Sequence, residues 1–278
     1  MPAFVSAGRA RAFALALVAA LAATSAAARP PTVVSINLCA DQLALALADR
    51  EQILSIGRFA ADPTLSALHA QAAGLPTNGG AAEEVIRLRP DIVLSGAYRE
   101  RRTNSLLRRM GLTVLALTAP NDVEGTAALA IEVGTAIGQA ERGQRLAASM
   151  RAMFVAPATS PVRSALVWRP NGFVSGRGTL VDAALTAAGL DNAAARMGAA
   201  SWGTLPLERL VSTPPDVLVI DDHLDAKTSR AQSLLIHPVL ARLSPPMRIG
   251  AVKTRDWLCA GPWMEAAIRQ LRVIAGDR

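Results

Sequence analysis

The sequence predicts an α/β protein built as two Rossmann-like lobes with parallel sheets, joined by one long connecting helix. Three observations lead there. Short β-branched runs alternate with longer helical patterns, the signature of parallel strands linked by crossover helices. The alternation stops after Pro120, where Ala, Leu, Ile and Met recur at helical spacing for more than thirty residues. Finally, one segment recurs. Residues 82–95 read AEEVIRLRPDIVLS and residues 207–221 read LERLVSTPPDVLVID. In both, a glutamate stands seven residues before a proline, then an aspartate and an apolar strand: Glu83 with Pro90, Glu208 with Pro215. The offset is 125 residues each time, and two lobes on one plan is the economical reading.

The elements follow in order. Residues 1–28 read as a cleavable secretory signal: Arg9 and Arg11 supply the positive start, residues 12–23 the apolar stretch, and Ser25-Ala26-Ala27-Ala28 the small cleavage site. That stretch is short for a membrane span, and no cysteine follows it to carry a lipid anchor. The first lobe, residues 29–121, holds strands at 32–36, 53–56, 91–95 and 113–117. Helices fall at 39–47, 82–88 and 103–110. The second ends at Arg89-Pro90, because proline disfavours helix before it, and the third is capped by Gly111. Residues 122–156 form the connecting helix, in which Gly134, Gly138 and Gly143 weaken the pattern without breaking its period. The second lobe, residues 157–278, holds strands at 164–168, 217–221 and 249–252. Its helices fall at 179–188, 207–211, within 233–243, and at 262–275.

Composition bounds the function. Of 278 residues, 51% are hydrophobic and 18% charged, which excludes a disordered chain. Net charge is +7, carried by 27 arginines and only two lysines; without Arg9 and Arg11 it is +5. Such a balance suits an anionic ligand or surface. With 4% aromatics and no zinc module or RNA-binding motif, nothing supports nucleic-acid binding. No nucleophile elbow, phosphate loop or paired-histidine zinc motif is present. Asp221, Asp222 and His223 at a strand end offer the one alternative chemistry, an exported metal-dependent hydrolase, although zinc sites need further spaced ligands. The exported chain is therefore expected to be a binding protein and not an enzyme; a periplasmic sensor domain is a further alternative.

Residues 32–274 resemble the periplasmic solute-binding proteins of ABC importers for cobalamin, ferric siderophores and haem. The resemblance rests on the order and spacing of VVSINLCADQLALAL, AEEVIRLRPDIVLSG, FVSGRGTLVDAALTAAGL, LPLERLVSTPPDVLVI and VKTRDWLCAGPWMEAAIRQL. It implies a monomer in the periplasm that carries a large, metal-bearing ligand to an inner-membrane permease. It also implies that one exposed glutamate per lobe docks into arginine pockets of that permease, and Glu83 and Glu208 hold the matching positions. Long-range charge steers such docking, and carboxylates in a first helical turn are favoured by the helix dipole in any case.

Ligands of open parallel sheets bind beyond the C-terminal ends of the strands. The candidate ligand contacts are therefore Asn37, Cys39 and Asp41 after the first strand, Arg58 after the second, and Tyr98 with Arg99 after the strand at 91–95. In the second lobe they are Arg177, Trp202, Trp257 and Cys259. Tyr98 is the only tyrosine. Tyrosine is a known axial haem ligand, and in some of the resembling proteins it serves haem at about this loop. Loop tryptophans suit flat contacts with a corrin or porphyrin. Trp168 and Trp263 read as core. Cys39 and Cys259 leave three readings open: a disulfide between the lobes, two thiolates for a soft metal, or two small buried residues. The pair is a departure from the general pattern of the resembling proteins.

Overall fold

The computed structural model describes residues 29–155, 163–221, 233–243 and 246–276, and residues Pro31–Arg278 form one compact unit. The expected signal, the end of the expected connector at Pro157 and Pro161, and Asp222 with His223 lie outside the described residues.

The N-terminal lobe is a five-stranded parallel sheet. Its strands are β1 (Val33–Ser35), β2 (Ile53–Gly57), β3 (Thr77–Asn78), β4 (Ile92–Gly96) and β5 (Val114–Leu117), in the order β3-β2-β1-β4-β5. Five helices belong to this half up to the lobe junction: α1 (Leu38–Leu47), α2 (His69–Ala72), α3 (Ala82–Leu88), α4 (Arg101–Arg109) and α5 (Val123–Ala136). β1 is central and fully buried, as its VVS sequence requires of a strand covered on both faces. Ala82 and Val85 of α3 and Leu107 of α4 cover one face, against Val34 and Val93. Leu43, Ala44 and Leu47 of α1 and Val133 of α5 cover the other, against Val33 and Leu94. Asn37 starts α1 as its cap, its side-chain oxygen accepting from the N–H groups of Cys39 (3.1 Å) and Ala40 (3.4 Å). α1 is apolar around most of its circumference because it is covered twice. Leu38, Cys39 and Ala46 pack against the core of the other lobe.

Between the lobes, where the sequence predicts one helix over 122–156, the chain forms two: α5 and then α6 (Ala140–Met153). This corrects the shape of the connector. Gly138 takes a φ of +76° in the turn, and the helices fold back on each other as an antiparallel pair. Gly134 and Gly143 stand at the crossing. A Cβ on Gly134 would lie 2.8 Å from the Cα of Gly143, so only glycine admits this approach. Glu124 and Arg151 pair at the open end (2.7 Å). At the turn, Arg142 donates to Asp49 (2.6 Å) and to the Leu47 carbonyl (3.0 Å), fastening the pair to the first lobe. That hydrogen bond holds the Asp49 carboxyl below its usual range. Met153 and Phe154, at the other end of α6, pack against the second lobe's core. Of the two helices, α6 therefore carries the chain to the second lobe.

The C-terminal lobe contains β6 (Arg163–Arg169), β7 (Phe173–Ser175), β8 (Leu190–Asn192), β9 (Trp202–Thr204), β10 (Val217–Asp221) and β11 (Arg248–Val252). Its helices are α7 (Leu180–Ala187), α8 (Leu207–Ser212), α9 (Pro238–Leu243) and α10 (Met264–Ala275). The order is β11-β10-β6-β7-β9, with β8 also pairing β6. β10 and β11 run parallel to their neighbours as the sequence predicts; β8, a strand that the sequence reading does not include, also runs parallel to β6, whereas β6–β7 and β7–β9 are antiparallel. The reason is local. Three residues, Pro170–Gly172, link β6 to β7, with Asn171 and Gly172 at φ of +60° and +72°. A link that short reverses the chain and leaves no room for a crossover. Trp168 is fully buried, and Trp263 is 9% exposed with its indole N–H donating to the Cys259 carbonyl (2.7 Å), so both are core as expected.

The 125-residue repeat is structural. The Asp91 carboxylate accepts from the backbone N–H (2.8 Å) and hydroxyl (2.7 Å) of Thr32, whose hydroxyl accepts from the Asp91 N–H (3.1 Å). Asp216 makes the same three bonds with Ser164, at 2.7, 2.7 and 3.0 Å. These bonds hold the Asp216 carboxyl below its usual range. Each clamp ties the turn after the α3 or α8 helix to the start of the central strand, so Glu83 and Glu208 occupy equivalent first turns.

Candidate functional site between the lobes

A cavity of about 340 Å³ lies between the lobes, at the C-terminal ends of the strands. From the first lobe come Asn37 and Cys39 at the start of α1, Gly96–Glu100 after β4, and Leu117–Asn121 after β5. From the second come Arg169 at the end of β6, Leu180 and Val181 of α7, Trp202 of β9, and Trp257–Ala260 after β11. The wall is mostly apolar, with a few polar groups set into it, as in sites for large organic ligands.

The cysteines are bonded to each other. Cys39 and Cys259 form a disulfide with Cα atoms 5.2 Å apart, which closes a loop of 220 residues and ties the lobes together in the cavity wall. The metal-thiolate and free-thiol readings therefore fall away. Beside the disulfide the lobes share an apolar seam: Leu38, Ala46, Ala67 and Leu68 of the first lobe lie on the second lobe's core. Arg255 adds a hydrogen bond across it to the Pro63 carbonyl (2.8 Å).

The aromatic residues take different stations. Trp257 is 5% exposed, and the Arg169 guanidinium lies over its ring at 5.2 Å from the centroid. Trp202 is 47% exposed and stacks on Phe173 at 5.8 Å, a shelf made by the antiparallel β7–β9 pair. Tyr98 is 64% exposed at the rim, beside the exposed Arg99. Asn37 donates from its side-chain amide to Glu100 (3.2 Å) across Gly96, where a Cβ would press on the second Glu100 oxygen.

Seven of the ten expected ligand contacts thus line the cavity: Asn37, Cys39, Tyr98, Arg99, Trp202, Trp257 and Cys259. Three do not. Asp41 is fully buried under the first lobe, where its carboxylate accepts from the Gly57 N–H (3.0 Å). Burial pushes its pKa up to about 6, against the lowering effect of hydrogen bonds from Gly57 and Ser35. Arg58 is exposed and lies over Phe59 at 4.8 Å. Arg177 is exposed and pairs with Asp191 (3.5 Å). Two positions separate Asp41 from Cys39: α1 turns its 37–39 end toward the cavity and position 41 away from it. Glu100 and Arg169 were missed. The first was hidden among arginines in the YRERR run, and the second is a charge at the end of a buried strand, a signal available in the sequence. Of the alternative hydrolytic trio, only the Asp221 backbone at the end of β10 is described.

Comparison with known proteins gives the family. The model of the periplasmic binding protein family matches residues 33–254. A cobalamin-binding protein of Halobacterium salinarum is 30% identical over 211 residues, 72% of this chain and 57% of the relative. The chain thus spans just over half the length of that relative. The periplasmic heme-binding protein RhuT from Roseiflexus sp. RS-1 superposes with a TM-score of 0.70 at 25% identity, covering 89% of this chain and 98% of that one. The vitamin B12 binding protein BtuF of Vibrio cholerae superposes at 0.62 and 15% identity, over 89% and 97%, a likeness of fold. With a family model spanning most of both lobes, the chain belongs to the periplasmic binding protein family.

Proposed function

We propose that this chain is the ligand-capturing component of an ABC importer, exported to the periplasm, and that its cargo is a corrinoid, with haem or a ferric siderophore as the runner-up. The cavity carries the reading: it sits where both sheets present their strand ends, and Trp202, Trp257 and Tyr98 give it flat surfaces for a large ring system. The cobalamin-binding relative favours a corrinoid. Tyr98 favours haem, since its phenol is exposed at the rim. Binding and delivery require no bond to be made or broken, so the reading assigns the chain no catalysis and no resident cofactor. The test is a titration of residues 29–278 with cobalamin, haem and ferric siderophores, followed by tryptophan fluorescence. One-to-one quenching by cobalamin is expected, reduced at least tenfold in affinity by Trp257→Ala. Saturable quenching by haem alone, abolished by Tyr98→Phe, would replace the corrinoid by haem, and silence across the panel would remove the cargo assignment.

Delivery needs a partner, and we assign docking on a membrane permease to Glu83 and Glu208. Both are exposed in the first turns of equivalent helices, and neither has a partner among the described residues. Their neighbour Glu84 is engaged, accepting from the Gly79 N–H at 2.7 Å, which leaves Glu83 as the free carboxylate of its helix. Glu83→Ala with Glu208→Ala is expected to cut uptake in cells by more than tenfold while ligand affinity stays within twofold. Unchanged uptake would remove the docking role.

A further inference from the structure

The first turn of helix α4 carries a charge pattern that its own fold does not explain, whereas Arg108 near its end donates to the Val114 carbonyl (3.1 Å). Residues 99–109 read RERRTNSLLRR, with five arginines and one acid. The acid is withdrawn: one Glu100 oxygen accepts from Asn37, and the other is buried in the cavity wall without a partner among the described residues. Arg99, Arg101, Arg102, Arg108 and Arg109 are all exposed, and none has a carboxylate partner among the described residues. Arg101, Arg102, Arg108 and Arg109 repeat at i, i+1, i+7 and i+8, on the side opposite the buried Leu107. Arg108 and Arg109 suit the helix C-terminus. Arg101 and Arg102 sit in the first turn, where the helix dipole disfavours cations, and no side chain caps that turn. Stability of the helix would select the opposite charge there.

We infer that this arginine face of α4 rests on a bilayer of anionic phospholipid. Guanidinium groups engage phosphate oxygens in pairs, and a helix face made of arginine and serine holds a surface electrostatically without inserting into it. Placement supports the assignment. α3 and α4 cover the same face of a parallel sheet and each starts at the C-terminal edge of its strands, so Arg101 and Arg102 lie at the same edge as Glu83. Only this choice of occupant rests on the importer reading, since a protein docked through Glu83 has a bilayer within reach of α4.

Partition of residues 29–278 onto vesicles is the test, run in 50 mM salt with and without 25% phosphatidylglycerol in phosphatidylcholine. Binding is expected to the anionic vesicles only, and to fall as salt is raised. Arg101→Gln with Arg102→Gln is expected to lower the partition coefficient about 25-fold, at about fivefold per arginine. Adding Arg108→Gln and Arg109→Gln should lower it more than a hundredfold. A control removing Arg145, Arg177, Arg196 and Arg269 changes net charge equally at ion-paired positions elsewhere, and is expected to stay within threefold. Equal loss in the control, absence of binding to anionic vesicles, or full competition by inorganic phosphate at matched ionic strength would each overturn the assignment. Cobalamin binding and uptake do not enter these readouts, so failure here leaves the importer reading standing, and failure of that reading leaves the vesicle result to be judged alone.

Discussion

Replacing Cys39 and Cys259 by serine is expected to lower the stability of residues 31–278 by about 5 kcal/mol, close to the upper end for any disulfide. The magnitude follows from the loop. The bond joins residues 220 apart, so it removes the conformational freedom of nearly the whole unfolded chain. A second effect is mechanical. The lobes are joined covalently at two places, through α6 and through the disulfide, so the freest motion left is rotation about the line between those ties. Without the disulfide, separation on that side is opposed by non-covalent contacts such as the seam of Leu38, Ala46, Ala67 and Leu68 and the Arg255–Pro63 hydrogen bond. Trp257, 5% exposed beside Cys259, should then become accessible to a soluble quencher. Denaturant unfolding of the oxidised protein and of the double variant measures the first effect, and acrylamide quenching the second. Equal midpoints and equal quenching would show that the tie constrains neither state.

Asp41→Asn is expected to make the protein more stable at pH 7.5 by about 3 kcal/mol and to leave it nearly unchanged at pH 4. The Asp41 carboxyl is fully buried and its pKa is pushed up to about 6 by that burial, from an ordinary 3.8. A folded-state value above the unfolded one means that the folded chain holds the proton more tightly. The associated stability is complete below about pH 4 and is lost as pH rises through about 6, after which the fold carries a buried carboxylate. The hydrogen bonds that the carboxyl receives from Gly57 and Ser35 do not offset the cost of burying its charge. Asparagine keeps an acceptor for the Gly57 N–H and removes the ionisation. Thermal midpoints of both proteins from pH 4 to 8 decide it: parallel profiles would show that Asp41 does not titrate in this range.

Much of the architecture is legible in the order of the residues. Strands at β1, β4, β6, β10 and β11 and helices at α3, α7, α8 and α10 fall within two residues of their expected limits. In each case an apolar run is bounded by proline, glycine or a cap, and such signals are local. Elements that make their sense only through partners were missed. β7 and β9 are three residues each and exist by pairing with each other and with β6. The helix pair was misread for a related reason. A helical period continues across Gly138 in sequence, whereas the fold-back depends on two glycines nine residues apart meeting at a crossing.

The sequence by itself determined the two-lobed α/β plan, because strand–helix alternation and a 125-residue repeat are written in residue order. It also determined which ends of the strands face the cavity, since that follows from parallel topology. Only the tertiary structure decided which side chains reach the cavity and which cysteine reading holds. Asp41 and Cys39 lie two positions apart on one helix and point to opposite fates, one under the sheet and one into the cavity wall. The distance between Cys39 and Cys259 is likewise a property of how two lobes pack. Spacing along the chain carries no information on either, because Asp41 is fixed by its packing against Gly57 on a neighbouring strand and the disulfide by contact between segments 220 residues apart.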